Sequence, residues 1–295
     1  MTAIYKRELR SYFSSMIGYI YTFIVLLIIG LMFMVTNLLS SGGQGSYPYF
    51  AGTLSSSLII LVFAVPILTM KSIAEERRSK TDQMLLTYPV KVSNVILGKY
   101  FAMVTVYALP LVISCLAPLV ISWESAGGGS LIIDYAAILA FLCLGCLFVS
   151  IGMFISSLTE SQIIAAIASM GTFLLLFFWS GLVGYIPETA MATFIGFLFI
   201  LAVVLILLHS LTRSTLITAV VAVLGGGGLL ACYLLSPSLL GGLLKKFLSL
   251  FSVTDALGNF SSYFVFDVKG LLLYLSLSAL FVFLTIQSVQ KRRWS

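Results

Sequence analysis

The residue types that ordinarily do chemistry are scarce in this sequence, and their spacing excludes most of it. His209 is the only histidine, whereas an H-E-x-x-H metal site needs two on one helix face. Cys143 and Cys146 form a C-x-x-C, a spacing that serves redox or metal chemistry in other settings. With apolar neighbours and no histidine or carboxylate nearby, they are expected to pack, as are Cys115 and Cys232. A phosphate-cradling loop needs a hydroxyl after its Gly-Lys pair, but Gly98-Lys99 is followed by Tyr100. No catalytic, cofactor or metal site is expected, and the chain reads as a non-enzyme. No substrate-binding residue is assigned.

One segment stands apart. Residues 71–82 gather Lys71, Glu75, Glu76, Arg77, Arg78, Lys80 and Asp82. Thr81 or Asp82 can cap a short helix carrying Met84, Leu85 and Leu86, Pro89 ends it, and Ser93 can cap the next helix. A short helix with one apolar and one charged side is a docking element for a partner. On composition alone a solvated loop fits as well.

The elements that must carry this segment lie in a membrane. Charged residues make up 9% of the 295 residues and apolar residues 60%, against about 25% and 45–50% in soluble domains. A water-soluble fold is excluded. The charges leave seven uncharged stretches of twenty or more residues, from Ser11–Met70 to Gly270–Gln290. A crossing helix takes roughly 20 apolar residues. The first stretch is interrupted by Ser40–Ser46 and holds two spans, so about eight are expected in an all-α polytopic bundle. The expected order is a single transmembrane domain over 1–295. An interfacial helix (1–16) is followed by spans one and two (17–70), a cytoplasmic segment (71–94) and spans three to five (95–183). A hairpin of spans six and seven (190–235), an external segment (236–269) and span eight (270–290) complete it.

An even number of spans puts both termini on one side. With that side cytoplasmic, thirteen Lys and Arg residues lie inside and only Lys245, Lys246 and Lys269 outside, a strong positive-inside bias. The net charge of +6 therefore reports topology rather than nucleic-acid binding. The first apolar run is too long for a cleavable signal region, so none is expected.

Local signals refine the elements. Tyr5, Leu9, Tyr12, Phe13 and Met16 share one helix face, with Lys6, Arg7, Arg10 and Ser14 opposite, the pattern of a helix lying among headgroups. Asp134 is placed to cap span four, and Thr159 with Gln162 fits a capping box starting span five. Pro66, Pro110 and Pro118 are expected to kink spans two and three. Gly225–Gly228, each residue costing a helix about 1 kcal/mol, points to close packing or a flexible break, with packing favoured. No ionisable residue sits at a span centre, where transport coupled to ions normally keeps one.

Pro66–Arg78, Leu85-Leu86, Pro89-Val90 and Leu97–Tyr100, with Ser156–Ile164 and Tyr274–Trp294, resemble type-2 ATP-binding-cassette permeases, most closely their gliding-motility and copper-enzyme-maturation group. The resemblance covers about Ile4–Trp179 and Phe251–Trp294. It implies a permease subunit, an exporter, of a multi-pass bacterial cytoplasmic membrane protein whose loop between spans two and three is a coupling helix. The partner that the resemblance implies is a separate cytoplasmic ATPase carrying ATP and magnesium. A second permease copy or homologue and an auxiliary membrane protein complete the partners. By the same resemblance, Glu75, Glu76, Arg77, Arg78, Thr81, Asp82, Leu85, Leu86, Pro89, Thr159 and Glu160 form the ATPase-docking set. Lys80 stands where Gly is common, and Gln83 where Glu is common. The family norm is six spans, which makes 190–235 an inserted hairpin. The alternatives are an ion-coupled secondary transporter and a non-catalytic membrane scaffold.

Overall fold

The computed structural model of the chain describes residues 1–39, 49–80, 91–124, 130–212, 215–235, 241–262 and 266–294, and among these every regular element is helical. The Gly/Ser loop at 40–48 and residues 81–90 lie outside them.

In chain order the helices are α1 Thr2–Ser14, α2 Ile17–Phe33, α3 Phe50–Ser56, α4 Ile59–Thr69, α5 Ala74–Arg78, α6 Val92–Ser114 and α7 Ala117–Glu124. They continue as α8 Leu131–Leu158, α9 Gln162–Gly184, α10 Ala190–Thr212, α11 Thr215–Leu235, α12 Leu243–Ser249, α13 Thr254–Ser262 and α14 Val268–Trp294. Among the described residues six stretches are long and apolar enough to cross a membrane: Ile17–Asn37, Val92–Trp123, α8, α9, Ala190–Ser210 and Val268–Lys291. The α3–α4 pair adds a seventh if its two halves make one crossing. The span expected at 216–235 is helical as α11, with its apolar stretch at Thr218–Leu230. The six or seven that qualify stand against the eight expected.

The chain divides into two compact units, Met1–Phe177 with Val253–Ser295, and Phe178–Ser252. In the first, α8 is the axis. Its side chains from Ala137 to Ser157 are mostly buried, and it packs most extensively on α14, then on α4 and α6. Phe50, Phe141, Phe148 and Phe173 are fully buried around it. Without water to bond to, a core hydroxyl is stabilised by a partner inside the protein. The Tyr107 Oη donates to the Phe141 carbonyl at 2.7 Å, and the Tyr274 Oη to the Val253 carbonyl at 2.6 Å. Two glycines let neighbours come close: a Cβ on Gly145 would overlap the Tyr107 ring, and one on Gly152 would overlap Thr69.

Several local expectations change. The bend in the second span falls at Ser57-Leu58 rather than at Pro66: α3 and α4 meet at 63°, while α4 runs through Pro66 unbroken. Ser56 and Ser57 hydroxyls donate to the carbonyls of Gly52 and Thr53 at 3.0 and 2.7 Å, a back-bonding that bends helices. Pro118 sits in the first turn of α7, where its missing N–H costs nothing. Ser93 lies inside α6, whose N-cap is Lys91. Met16 leaves the apolar face of α1; it is 70% exposed at φ 58° in the corner leading into α2. The turn before α9 is not a capping box, since Thr159 is the extended residue closing α8 and α9 begins at Gln162.

In the second unit, α10 and α11 pair as a helical hairpin. The Trp179 Nε1 donates to the Leu248 carbonyl at 2.9 Å, and Lys245 pairs with Glu188 at 2.7 Å, which holds the Glu188 carboxyl below the usual carboxylate range. Only the first residue of the Gly225–Gly228 run is closely packed: a Cβ there would press on Leu201, while the other three face open space.

Candidate functional site

The charged segment after span two is held by its neighbours. A five-residue helix such as α5 cannot sustain itself, and its first N–H groups need acceptors. Ser156, near the end of α8, supplies one. Its Oγ accepts from the N–H groups of Ile73 and Ala74 at 3.3 and 3.1 Å and donates to the Met70 carbonyl at 3.3 Å. One hydroxyl thus joins the end of α4, the start of α5 and the end of α8. The neighbouring Ser157 donates to Ser288 of α14 at 3.3 Å, so α14 reaches this end of the bundle too.

Four charged side chains from three elements meet beside this joint. The Lys99 Nζ, near the start of α6, lies 2.7 Å from the Glu76 Oε1 and 3.2 Å from the Glu8 Oε1. Arg7 lies 2.8 Å from Glu8 and 3.8 Å from Glu76. The Lys99 side chain is only 4% exposed, so an ammonium there needs a paired carboxylate, and two are within reach. Glu8 holds the Arg7 guanidinium above its ordinary pKa. Burial raises the Tyr12 phenol, whose Oη donates to the Leu68 carbonyl at 3.2 Å. Across α1, the Tyr5 and Thr105 hydroxyls pair at 3.0 Å, and Ile4 covers Gly98 so closely that a Cβ there would lie 3.1 Å from it. The amphipathic helix is therefore clamped to α6 and to the charged segment.

The expected docking residues separate by direction. Glu75 and Arg78 are exposed, as is Glu160 in the turn after α8. Glu76 turns inward to Lys99. Arg77 is buried, with its Nη1 3.5 Å from the Thr159 carbonyl, which ties α5 to the turn that carries Glu160. Thr81, Asp82, Leu85, Leu86 and Pro89 lie outside the described residues. Lys80, where the resembled family commonly has Gly, follows the helix at φ 56°, and its N–H donates to the Arg77 carbonyl at 3.0 Å. A left-handed residue closing a helix is usually glycine.

The family model of the ABC-2 family transporter proteins matches residues 2–190. The chain belongs to the ABC-2 transporter family. No curated protein matches it. ABC-2 permeases are membrane components of transport, not themselves catalytic, and work with an ATPase subunit. As an ABC-2 protein with several membrane-capable helices, the chain is a multi-pass membrane protein.

Glu8, Lys99 and Ser156 were not among the expected site residues. Glu8 carried a signal: it falls between Tyr5 and Tyr12 on the apolar face of α1, where a carboxylate needs a buried cation. Ser156 carried none in its local pattern, because its partners are more than eighty residues away in sequence. At the opposite end of α8, Asp134 does not cap its own helix, which starts at Leu131. Its Oδ1 accepts from the Ala51 N–H at 3.1 Å, capping α3 from a distance.

Proposed function

We propose that this chain is the permease subunit of an ATP-driven exporter in a bacterial cytoplasmic membrane, coupled to a separate ATPase through 71–94 and the turn at 158–161. The observation that carries this is the Ser156 joint together with the Arg77–Thr159 contact. They bring α5 and the α8–α9 turn together, and Glu75, Arg78 and Glu160 are the exposed charged residues of these two segments. A force applied there passes through Ser156 into α8 and through Glu76–Lys99 into α6, the two helices at the heart of the bundle.

In this account two permease chains face each other, with the ATPases beneath and any auxiliary membrane protein alongside. The chain crosses the membrane eight times, as a six-span core plus the 190–235 hairpin. Export as the direction rests on the family resemblance. Glu76 and Arg77 act from inside, by fixing the segment, while Glu75, Arg78 and Glu160 meet the ATPase with Thr81, Asp82, Leu85, Leu86 and Pro89.

Copurification of the chain with its ATPase tests this. A Glu75→Ala/Arg78→Ala chain is expected to lose most of the bound ATPase and of the ATP turnover of the complex while folding normally. Full retention of both by the folded variant overturns the docking assignment.

A further inference from the structure

Next to the ion cluster, between α1 and the stretch from Lys71 to Ser79, lies a polar cavity of about 440 Å³. That is within the roughly 300–1,000 Å³ of small-molecule pockets. Its walls carry charge of both signs. Arg7 and Lys99 are committed to Glu8 and Glu76, but Lys71 and Glu75 make no ion pair among the described residues. The cavity therefore presents one uncommitted ammonium and one uncommitted carboxylate. A second, independent feature lies in the same wall. Ser72 is 5% exposed, and its hydroxyl has no hydrogen-bond partner among the described residues. A buried hydroxyl left without a partner in the protein is costly, and this one lies where a group bound in the cavity can satisfy it.

The cavity also has a defined setting. The amphipathic helix α1, with Tyr12 buried and Lys6 and Arg10 exposed, has the residue pattern of helices that lie at the level of lipid headgroups. Tyr12 and Ile17 form part of the cavity wall. A ligand complementary to it needs an anionic oxygen for Lys71 and Ser72 and a hydrogen-bonding cation for Glu75.

We infer that this cavity binds a phosphate ester bearing a primary ammonium, the phosphoethanolamine group, as a lipid headgroup or in soluble form. The phosphate oxygens accept from the Lys71 ammonium and the Ser72 hydroxyl, and the ligand ammonium donates to the Glu75 carboxylate. A purely anionic headgroup would set its charge against Glu75 with nothing to pair it. A trimethylated ammonium has no N–H to donate. The inference applies to the permease chain before an ATPase engages Glu75, and its test uses the permease chain alone.

The test is native mass spectrometry of the full chain released from nanodiscs of phosphatidylcholine doped with phosphatidylethanolamine or phosphatidylglycerol. Phosphatidylethanolamine should be retained about tenfold over both others, the scale of one charge-assisted hydrogen bond. Lys71→Gln and Glu75→Gln should each remove about that factor, and Ser72→Ala two- to threefold. Lys6→Gln on the exposed face of α1 should change nothing. Displacement by soluble phosphoethanolamine at matched concentration identifies a soluble ligand, and resistance to it identifies the lipid; either result supports the shared chemistry. Equal retention of phosphatidylglycerol overturns the proposal. So does unchanged retention in Ser72→Ala together with a folded Lys71→Gln or Glu75→Gln. Should Lys71→Gln fail to fold, Lys71→Arg must keep the lipid while Ser72→Ala weakens it, and the reverse order overturns the proposal.

Discussion

Both ends of α8 hold the start of a short helix, and they do so with different chemistry. At one end Ser156 caps α5 with a neutral hydroxyl, and the charge nearby is shared among Arg7, Glu8, Glu76 and Lys99. At the other, a single buried carboxylate, Asp134, caps α3. Beside α3 the side-chain contacts to the end of the first span are neutral: the Thr36 and Thr53 hydroxyls pair at 2.8 Å, and the Asn37 amide donates to the Thr36 hydroxyl at 3.0 Å. The same stretch of chain, from α3 to α5, is thus pinned at both ends to one long helix. The first end is ionic and involves several elements; the second is a local lock. That difference is why the proposed ATPase contact is assigned to the ionic end.

The largest effect should come from stranding Lys99. Glu8→Gln with Glu76→Gln leaves a buried ammonium without a countercharge and should destabilise the chain by about 3–5 kcal/mol. Either change alone should cost much less, because the remaining carboxylate still pairs. Adding Lys99→Met to the double variant should restore most of the loss. Thermal unfolding in detergent reads all four, and additive single effects would show that the cluster does not act as a unit.

The two caps offer a matched pair. Asp134→Ala should cost about 1–3 kcal/mol, since it leaves a buried N–H unsatisfied. Ser156→Ala should cost about 1 kcal/mol, the usual value of a lost cap. Asp134→Asn, which keeps an acceptor oxygen, should lie near wild type. Equal losses for Asp134→Ala and Asp134→Asn would mean that the charge, rather than the cap, matters at that end.

Lys80 tests the ionic end in the opposite direction. A non-glycine residue in the left-handed region costs roughly 1–2 kcal/mol, partly offset by the entropy that glycine loses on folding. Lys80→Gly should therefore stabilise by about 0.5–1 kcal/mol in the same melt, and a loss would place the residue elsewhere in φ.

The smallest effect concerns Asp267, whose carboxyl is held below the usual range first by the Asn259 amide and then by the Gly270 N–H. A depressed carboxyl stabilises the fold above its unfolded pKa of about 3.9 and loses that contribution as pH falls through the lower folded value. Melting temperature should be insensitive to Asp267→Asn in its pH slope from 7 to 5, and should lose part of its acid-side decline below about pH 4.

Much of this was legible in the sequence. Long uncharged stretches demand membrane helices whatever their packing, and the spacing of Tyr5, Leu9, Tyr12 and Phe13 shows an amphipathic helix before any fold is known. The segment around Glu75–Arg78 stood out because charge is so rare elsewhere. Direction was not legible: adjacent residues on one short helix divide between exposed and inward positions, as Glu75 and Glu76 do, according to where α6 and α1 lie. The bend at Ser57-Leu58 is not legible in the sequence because Pro66 offers a stronger local signal, whereas serine back-bonding acts through geometry that composition does not display. Asp134 and Thr159 were assigned to their own helices because a sequence shows only local caps, while Asp134 serves a distant one.

The central claim is that the ionic end, and not the Asp134 end, receives an ATPase. Photo-crosslinking amino acids at positions 78 and 160, with a control at Trp123, which is 88% exposed, test it in cells that make the native complex. Crosslinks from 78 and 160 to a polypeptide carrying a P-loop motif, and none from 123, are the predicted result. No such polypeptide from 78 and 160, or the same polypeptide captured from 123, would contradict the account.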